Sequence, residues 1–214
     1  MVKVIRIKGG TDNCYVVTDG KAAILVDTAS GANLDQVIEE CDKYEMKLIF
    51  LTHVHFDHAE NAKTLSERYK APVAFNKADE ELFESFDRQP LKSYGLVGKV
   101  ILDMSLKVLR NTVVKKPENL IYVEDGDDLS SYGFDAKVIS MPGHTKGSIG
   151  LDVDGTHLLV GDALDNWITP GIAHLYYDFY AVKKTAEKIR SLGERTVYYG
   201  HGKPTANGKF KKKG

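Results

Sequence analysis

Apolar and polar positions alternate from the start of the chain. The stretch "VKVIRIKG" reads as a strand, "NCYVVTDG" as a second that stops at an Asp-Gly turn, and "KAAILVDTASG" as an apolar run ending in Asp27 and a small-residue loop. Together they predict a strand followed by a hairpin. The period then changes. In "ANLDQVIEECDKYE", Leu34, Val37, Ile38 and Cys41 have the spacing of an amphipathic helix. "KLIFLTH" predicts a short buried strand, "AENAKTLSERYK" a second helix with Leu65 and Tyr69 on one face, and "APVAFNK" a further strand. This alternation predicts a sheet with helices packed against it.

From Ala78 to about Asn119 the pattern is different. "KADEELFESFDRQPLKSYGLVGKVILDMSLKVLRNTVV" predicts two short helices broken by Pro90 and Gly95. Residues 78–119 thus read as a helical insertion, placed to serve as a lid or a dimer surface. The second half resembles the first: "NLIYVEDGDDL", "DAKVISMPGHT", "SIGLDVDG" and "THLLVGDAL" predict short strands, "YDFYAVKKTAEKIRSLG" a helix, and "RTVYYGHGKPT" a final strand. Two β-rich halves around an insertion predict one α+β domain over residues 1–214, with two sheets face to face and helices outside.

Composition changes this picture little. The 214 residues are 43% hydrophobic and 28% charged, as in an ordinary globular protein, and a net charge of -1 points to neither nucleic acid nor a membrane surface as partner. The N-terminal "MVKVIRIKGG" lacks a signal-peptide core, and no window has the ~18 consecutive apolar residues of a membrane span. Cys14 and Cys41, neither in a CxxC pair, read as reduced thiols of a cytoplasmic protein. The tail from Lys209 to Lys213 reads as a solvated terminus.

The histidines change it most. "LTHVHFDHAENAK" places His53, His55, Asp57 and His58 within six positions directly after an apolar run. His144 in "MPGHT", Asp162 in "VGDAL" and His201 in "YGHGK" also follow apolar runs, each directly after a glycine. A small residue lets the backbone turn tightly at a strand end and present the next side chain to a cleft. Four strand ends thus deliver five histidines and two aspartates, too many for one tetrahedral metal but suited to two. Imidazole and carboxylate without cysteine admit zinc, iron or manganese. A bridging carboxylate would complete a pair able to hold a hydroxide at neutral pH. His157 and His174 lack this placement and read as ordinary hydrogen-bonded histidines.

With these motifs the sequence resembles the metallo-β-lactamase-fold hydrolases, particularly the glyoxalase II-like and lactonase-like members. "THVHFDH" matches the family's THxHxDH, "PGHT" its second metal motif, Gly161-Asp162 its bridging aspartate and "GHG" its last histidine, over nearly the whole chain. The resemblance implies a four-layer αββα sandwich with the metals in a cleft at one edge of the two sheets. It also implies that His53, His55 and His144 hold one metal, that Asp57, His58 and His201 hold another, and that Asp162 bridges them. Asp57 would also orient the hydroxide and return a proton to the leaving group; alternatively it caps the following helix. Asp27 reads as a turn residue or as the partner of a ligand histidine, and Asn13 and Tyr15 fit either the site or strand packing.

What the resemblance implies is a binuclear metal-dependent hydrolase, with zinc first and iron or manganese as alternatives, acting on an ester, thioester or lactone. Asp162 stands where β-lactamases proper usually have a cysteine, and His55 where flavodiiron-type proteins have glutamate. The helical domain with which glyoxalase II grips glutathione has no counterpart after the last histidine. A phosphodiesterase on the same metals and a mononuclear iron oxygenase acting on persulfides are the alternatives. Substrate contacts would come from the insertion and from Trp167, His174, Tyr176 and Tyr177 in the loop after Asp162. The expected partner is a small molecule, with a homodimer as a further expectation.

Overall fold

The computed structural model describes residues 2–109 and 112–206. The first half builds β1 (Lys3–Gly9), β2 (Asp12–Thr18) and β3 (Ala22–Val26), then α1 (Leu34–Cys41), β4 (Glu45–Phe50), the single turn α2 (Phe56–Ala59), α3 (Ala62–Tyr69) and β5 (Val73–Phe75). The crossing segment holds two 3-10 segments, Lys77–Phe83 and Phe86–Arg88, then β6 (Lys92–Ser93) and α4 (Gly95–Leu109), and returns as β7 (Leu120–Tyr122). The second half contributes β8 (Ala136–Ser140), β9 (Ile149–Val153), β10 (His157–Gly161), β11 (Leu164–Asp165), β12 (Gly171–Ile172), β13 (Leu175–Tyr176), α5 (Phe179–Ser191), β14 (Thr196–Tyr199) and β15 (Thr205–Ala206).

Two large sheets result, in the orders β1-β2-β3-β4-β5-β7 and β15-β14-β10-β9-β8, beside the two-stranded ribbons β11-β12 and β13-β6. Side chains alternate across each strand, which gives every central strand two buried faces. Tyr15, Val17, Ile24, Val26, Leu48 and Phe50 point at the other sheet, where they meet Val138, Leu151, Val153, Leu159 and Tyr198. Their neighbours Cys14, Val16, Ala23, Leu25 and Ile49 pack under Val37 and Cys41 of α1 and Ala62 and Leu65 of α3. On the outer face of the second sheet, Ala186 and Ile189 of α5 cover Leu158, Val160, Val197 and Tyr199. The architecture is therefore the four-layer αββα sandwich.

Three local expectations are corrected. The helix expected at 59–70 is two pieces, because α2 is a single turn and α3 starts only at Ala62. The stretch beginning at Asn119 does not open the second sheet. Leu120 pairs in parallel with Val73, so the crossing segment ends by extending the first sheet. Within 78–119 the first expected helix is 3-10, while the second is a 15-residue α-helix, α4, that starts at Gly95, where φ is +69°. Cys14 and Cys41 are buried and free. No helix among the described residues is long and apolar enough to cross a membrane, and Lys209–Lys213 lies outside the described residues.

Candidate metal centre

The strands deliver their ends to one edge of the sandwich. His53 follows β4, Asp162 follows β10 and His201 follows β14, while His144 sits in the loop between β8 and β9. The three preceding glycines have a steric reason: at Gly143, φ is +135° and a Cβ would lie 2.4 Å from Val182 N. At Gly161, φ is +51° and a Cβ would lie 2.2 Å from Thr52 Oγ1. At Gly200 a Cβ would lie 2.1 Å from Asp162 Oδ1 and 2.6 Å from His58 Cε1, inside the site itself.

All seven residues singled out as ligands meet there. They form three groups whose ligand atoms lie within 4.8 Å of one another: His53, His55 and His144; Asp57, His58 and His201; and His53, His58 and Asp162. The third group takes one member from each of the others, so Asp162 stands between them. Its Oδ1 is 3.5 Å from His58 Nε2, and its Oδ2 is 3.2 Å from His201 Nε2 and 3.6 Å from His144 Nε2. Asp57 Oδ2 is 3.4 Å from His201 Nε2 and 3.8 Å from His58 Nε2.

These separations fit a metal better than a proton. A tetrahedral ion with bonds of about 2.0–2.1 Å sets its ligand atoms about 3.4 Å apart, longer than a charge-assisted hydrogen bond. Nε2 of His53 and His58 and Oδ1 of Asp162 are also buried with no hydrogen-bond partner, an arrangement that is costly unless a cation completes it. His55 Nδ1 and His144 Nε2 approach to 2.9 Å, two ring nitrogens aimed at one point.

The imidazoles are held from behind. His58 Nδ1 donates to Asp27 Oδ2 (2.8 Å), His144 Nδ1 to the Leu175 carbonyl (2.9 Å), and His201 Nδ1 to the Thr11 carbonyl (2.8 Å). His53 Nδ1 lies 3.1 Å from Thr52 Oγ1, whose own proton goes to Asp27. Each Nδ1 contact fixes the tautomer that leaves Nε2 free for a metal. Asp27 therefore orients one histidine of each outer triad. It is also a turn residue, at φ +59°, so both of its sequence readings hold. Asn13 and Tyr15 serve the site as well as the strand: Asn13 Nδ2 donates to the carbonyls of Tyr199 (3.0 Å) and Gly202 (2.9 Å), and the Tyr15 hydroxyl to that of Tyr199 (2.6 Å). These bonds clamp the loop carrying His201. Asp57 lies inside α2, with His55 at the cap position, so helix capping is not its role.

Burial pushes His55 down to about 3 and His53 well below its ordinary value, so both are neutral with lone pairs available. Burial also opposes a charge on His58, but Asp27, Asp57 and Asp162 outweigh it and hold the ring up at about 9. His201 is raised as well, against its burial, by Asp162 and Asp57. Burial would lift the Asp57 carboxyl, yet His58 and His201 hold it at about 2. One half of the cluster therefore offers neutral imidazoles, and the other balances carboxylates against protons that a cation would displace.

Above the cluster lies a cleft of about 240 Å³. His55, Asp57, His144, Asp162 and His201 form its floor, and Ile101, Met104 and Val108 of α4, together with Trp167 and Leu175, form its walls. No Lys or Arg lines it among the described residues. Of the four expected substrate contacts, only Trp167 lines the cleft, its indole stacked 4.5 Å from the His201 ring. His174 lies behind the wall, paired to Asp165 at 2.7 Å and stacked on Tyr94. Tyr176 donates to the Ser93 carbonyl (3.4 Å), and Tyr177 faces Lys146. Neither tyrosine lines the cleft, because the two-residue strand β13 pairs with β6 and spends that segment on anchoring α4.

Asp27→Asn is expected to weaken metal binding 10- to 100-fold, since asparagine tolerates the left-handed backbone but carries no charge for His58. Titration against a competing chelator checks this, and unchanged affinity would contradict the orienting role.

Residues 7–201 match the family model described as the metallo-beta-lactamase superfamily. The hydroxyacylglutathione hydrolase GloC of Haemophilus influenzae is 30% identical over 152 residues, which cover 70% of this chain and 64% of that protein. Among solved structures, the BLEG-1 B3 metallo-beta-lactamase is similar with a TM-score of 0.71 at 24% identity, covering 98% of this chain and 95% of that one. The protein TTHA1623, solved in a di-iron-bound form, has a TM-score of 0.68 at 24% identity, covering 96% and 95%.

Proposed function

The chain belongs to the metallo-β-lactamase superfamily, and from that premise we propose that it is a binuclear metal-dependent hydrolase of an uncharged ester, thioester or lactone. Hydrolase-type chemistry at a His/Asp metal site follows from the superfamily; the number of metals and the bond cleaved are our reading. The observation that carries it is the overlap of the ligand groups, with His53 and His58 each in two of them and Asp162 spanning both sides. His53, His55 and His144 would hold one ion, Asp57, His58 and His201 the other, and Asp162 would bridge. Zinc is the first candidate, with iron or manganese as alternatives.

Divalent ions there supply Lewis acidity toward a carbonyl oxygen and lower the pKa of water. The chain's own residues do the rest. Asp57, ionised and on the cleft floor, orients the attacking water and carries its proton toward the leaving group. The apolar walls, Ile101, Met104, Val108, Trp167 and Leu175, flank the substrate over the ligand residues. Among the described residues no Lys or Arg lines the cleft to pair with the carboxylates of glutathione, which favours an uncharged substrate.

The test is moles of each metal per chain after reconstitution, followed by a panel of esters, thioesters, lactones, phosphodiesters and β-lactams. Two metals per chain and turnover of an uncharged carbonyl compound are expected. One iron per chain with oxygen uptake on a persulfide would overturn the reading.

A further inference from the structure

The cleft is not the only cavity that reaches the metal centre. A second, of about 420 Å³, opens beneath α4 on the other side of His55. Leu106 and Leu109 form its roof, Phe83 and Phe86 its floor, and Val114 lines it too. His55, Leu91 and Leu109 line both cavities, so the two adjoin at a ligand histidine. The Phe86 ring stands 5.9 Å from the His55 ring, edge toward face, at this junction.

Leucine, phenylalanine and valine side chains line this open pocket beside the metal centre, apolar surface that an aliphatic chain would remove from water. The chemistry of an occupant can be read from the walls. Leu82, Phe86, Leu91, Leu106 and Leu109 supply hydrocarbon surface, while Glu84, Ser85, Asp87, Gln89 and Thr112 make nearly half of the lining polar. No Lys or Arg lines this cavity among the described residues, and its two ionisable carboxylates disfavour an anionic tail.

We propose that this cavity is an acyl-chain subsite, taking the uncharged hydrocarbon chain of a substrate whose scissile carbonyl lies over His55, His144 and Asp162. The proposal rests on the hydrolase reading above. In the reaction, water adds its oxygen to the acyl carbon, the bond from that carbon to the leaving oxygen or sulfur breaks, and the leaving atom takes a proton. The acyl chain stays under α4 while the leaving group departs through the cleft between Trp167 and Met104. The insertion, on this view, selects the acyl part of the substrate.

The experiment has a kinetic arm and a binding arm. In metal-reconstituted protein, kcat/KM for p-nitrophenyl esters is expected to rise about threefold to fourfold per methylene, as apolar transfer predicts, until the cavity is filled. Leu106→Phe, which narrows only this cavity, should lower the decanoyl-to-acetyl ratio of kcat/KM at least tenfold. Leu106→Ala, which widens it, should move the preferred chain longer, and it carries the test if the phenylalanine variant does not fold. In the binding arm, decanamide is titrated calorimetrically into metal-free protein. Wild type should bind it, Leu106→Phe at least tenfold more weakly, and acetamide should not bind. Equal decanamide affinity in wild type and Leu106→Phe, or a flat chain-length profile, overturns the subsite. Decanamide binding that depends on Leu106, without turnover of any ester, thioester or lactone, keeps the subsite and removes the hydrolase reading.

Discussion

Asp162→Ala is expected to leave at most one metal per chain and to lower kcat/KM by on the order of 10³-fold or more, as loss of a group central to a metal site does. Asp162 is the one residue whose oxygens approach both halves of the cluster: His58 from Oδ1, and His144 and His201 from Oδ2. Truncation removes the one side chain, among the described residues, whose oxygens approach both halves. It also takes a counter-charge from His58 and His201, both of which are held in their protonated forms by the surrounding carboxylates. Metal-free Asp162→Ala should therefore be less stable at neutral pH, by about 3 kcal/mol, the scale for breaking a buried ion pair.

The pH dependence has a definite sign. Burial would raise the Asp162 carboxyl, but His201 and His58 hold it well below the ordinary 3.8. A depressed folded-state value means that the carboxylate stabilises the fold above about pH 3.8 and that the contribution fades as pH falls toward the folded value. The stability gap between metal-free wild type and the variant should thus be widest near neutrality and close in acid. Urea melts across that range, with metal analysis on the same samples, check both parts. Full metal content in the variant would sink the bridging role.

The site was legible in the chain because each of its seven side chains follows a run that ends a strand, and because glycine precedes three of them for reasons of space. Thr52 and Asp162 leave no room for a Cβ at Gly161 and Gly200. What surrounds the site was less legible. That β7 joins the first sheet depends on Val73 meeting Leu120, a pairing across more than forty residues that no local period encodes. The insertion read as helical from its apolar content, yet whether Ile101 and Met104 face the cleft, or Phe83 and Phe86 a second cavity, depends on how α4 is tethered through β6 and β13. Tyr176 and Tyr177 read as substrate contacts because aromatic residues cluster there, but their segment serves as that tether.

Asp79 was hidden most completely, since "KADEEL" reads as the acidic start of a surface helix. In the fold its side chain is fully buried and links the loops that carry three of the histidines. Oδ1 accepts from Gly147 N (2.7 Å) and Gln89 Nε2 (3.3 Å), and Oδ2 from Thr145 Oγ1 (2.7 Å) and Val54 N (3.4 Å). Val54 lies between His53 and His55, and Thr145 follows His144, so one carboxylate holds both sides of the first triad in register. Asp79→Ala would leave these donors buried and unpaired. The expected cost is about 3 kcal/mol, or a melting temperature lower by roughly 6–12 °C for a chain of this size, with metal binding weakened 10- to 100-fold. Asp79→Asn keeps the shape and one accepting oxygen but turns an NH2 group toward donors, so it should lose about half as much.

Here the pH signature is opposite to that of Asp162. Burial lifts the Asp79 carboxyl above 3.8 despite the donors around it. A raised folded-state value means that its favourable contribution is fully present below about pH 3.8 and declines as pH rises through the folded value. The advantage of wild type over Asp79→Asn should therefore shrink as pH rises above 3.8 and level off once the folded-state carboxyl is ionised, whereas the gap for Asp162→Ala grows over the acid range. Melts of the two metal-free variants beside wild type, in the same buffers, separate a carboxylate that carries charge for the metals from one that holds the loops. Parallel curves would mean that Asp79 belongs electrostatically to the metal cluster, and an unchanged melting temperature for Asp79→Ala would remove its structural role.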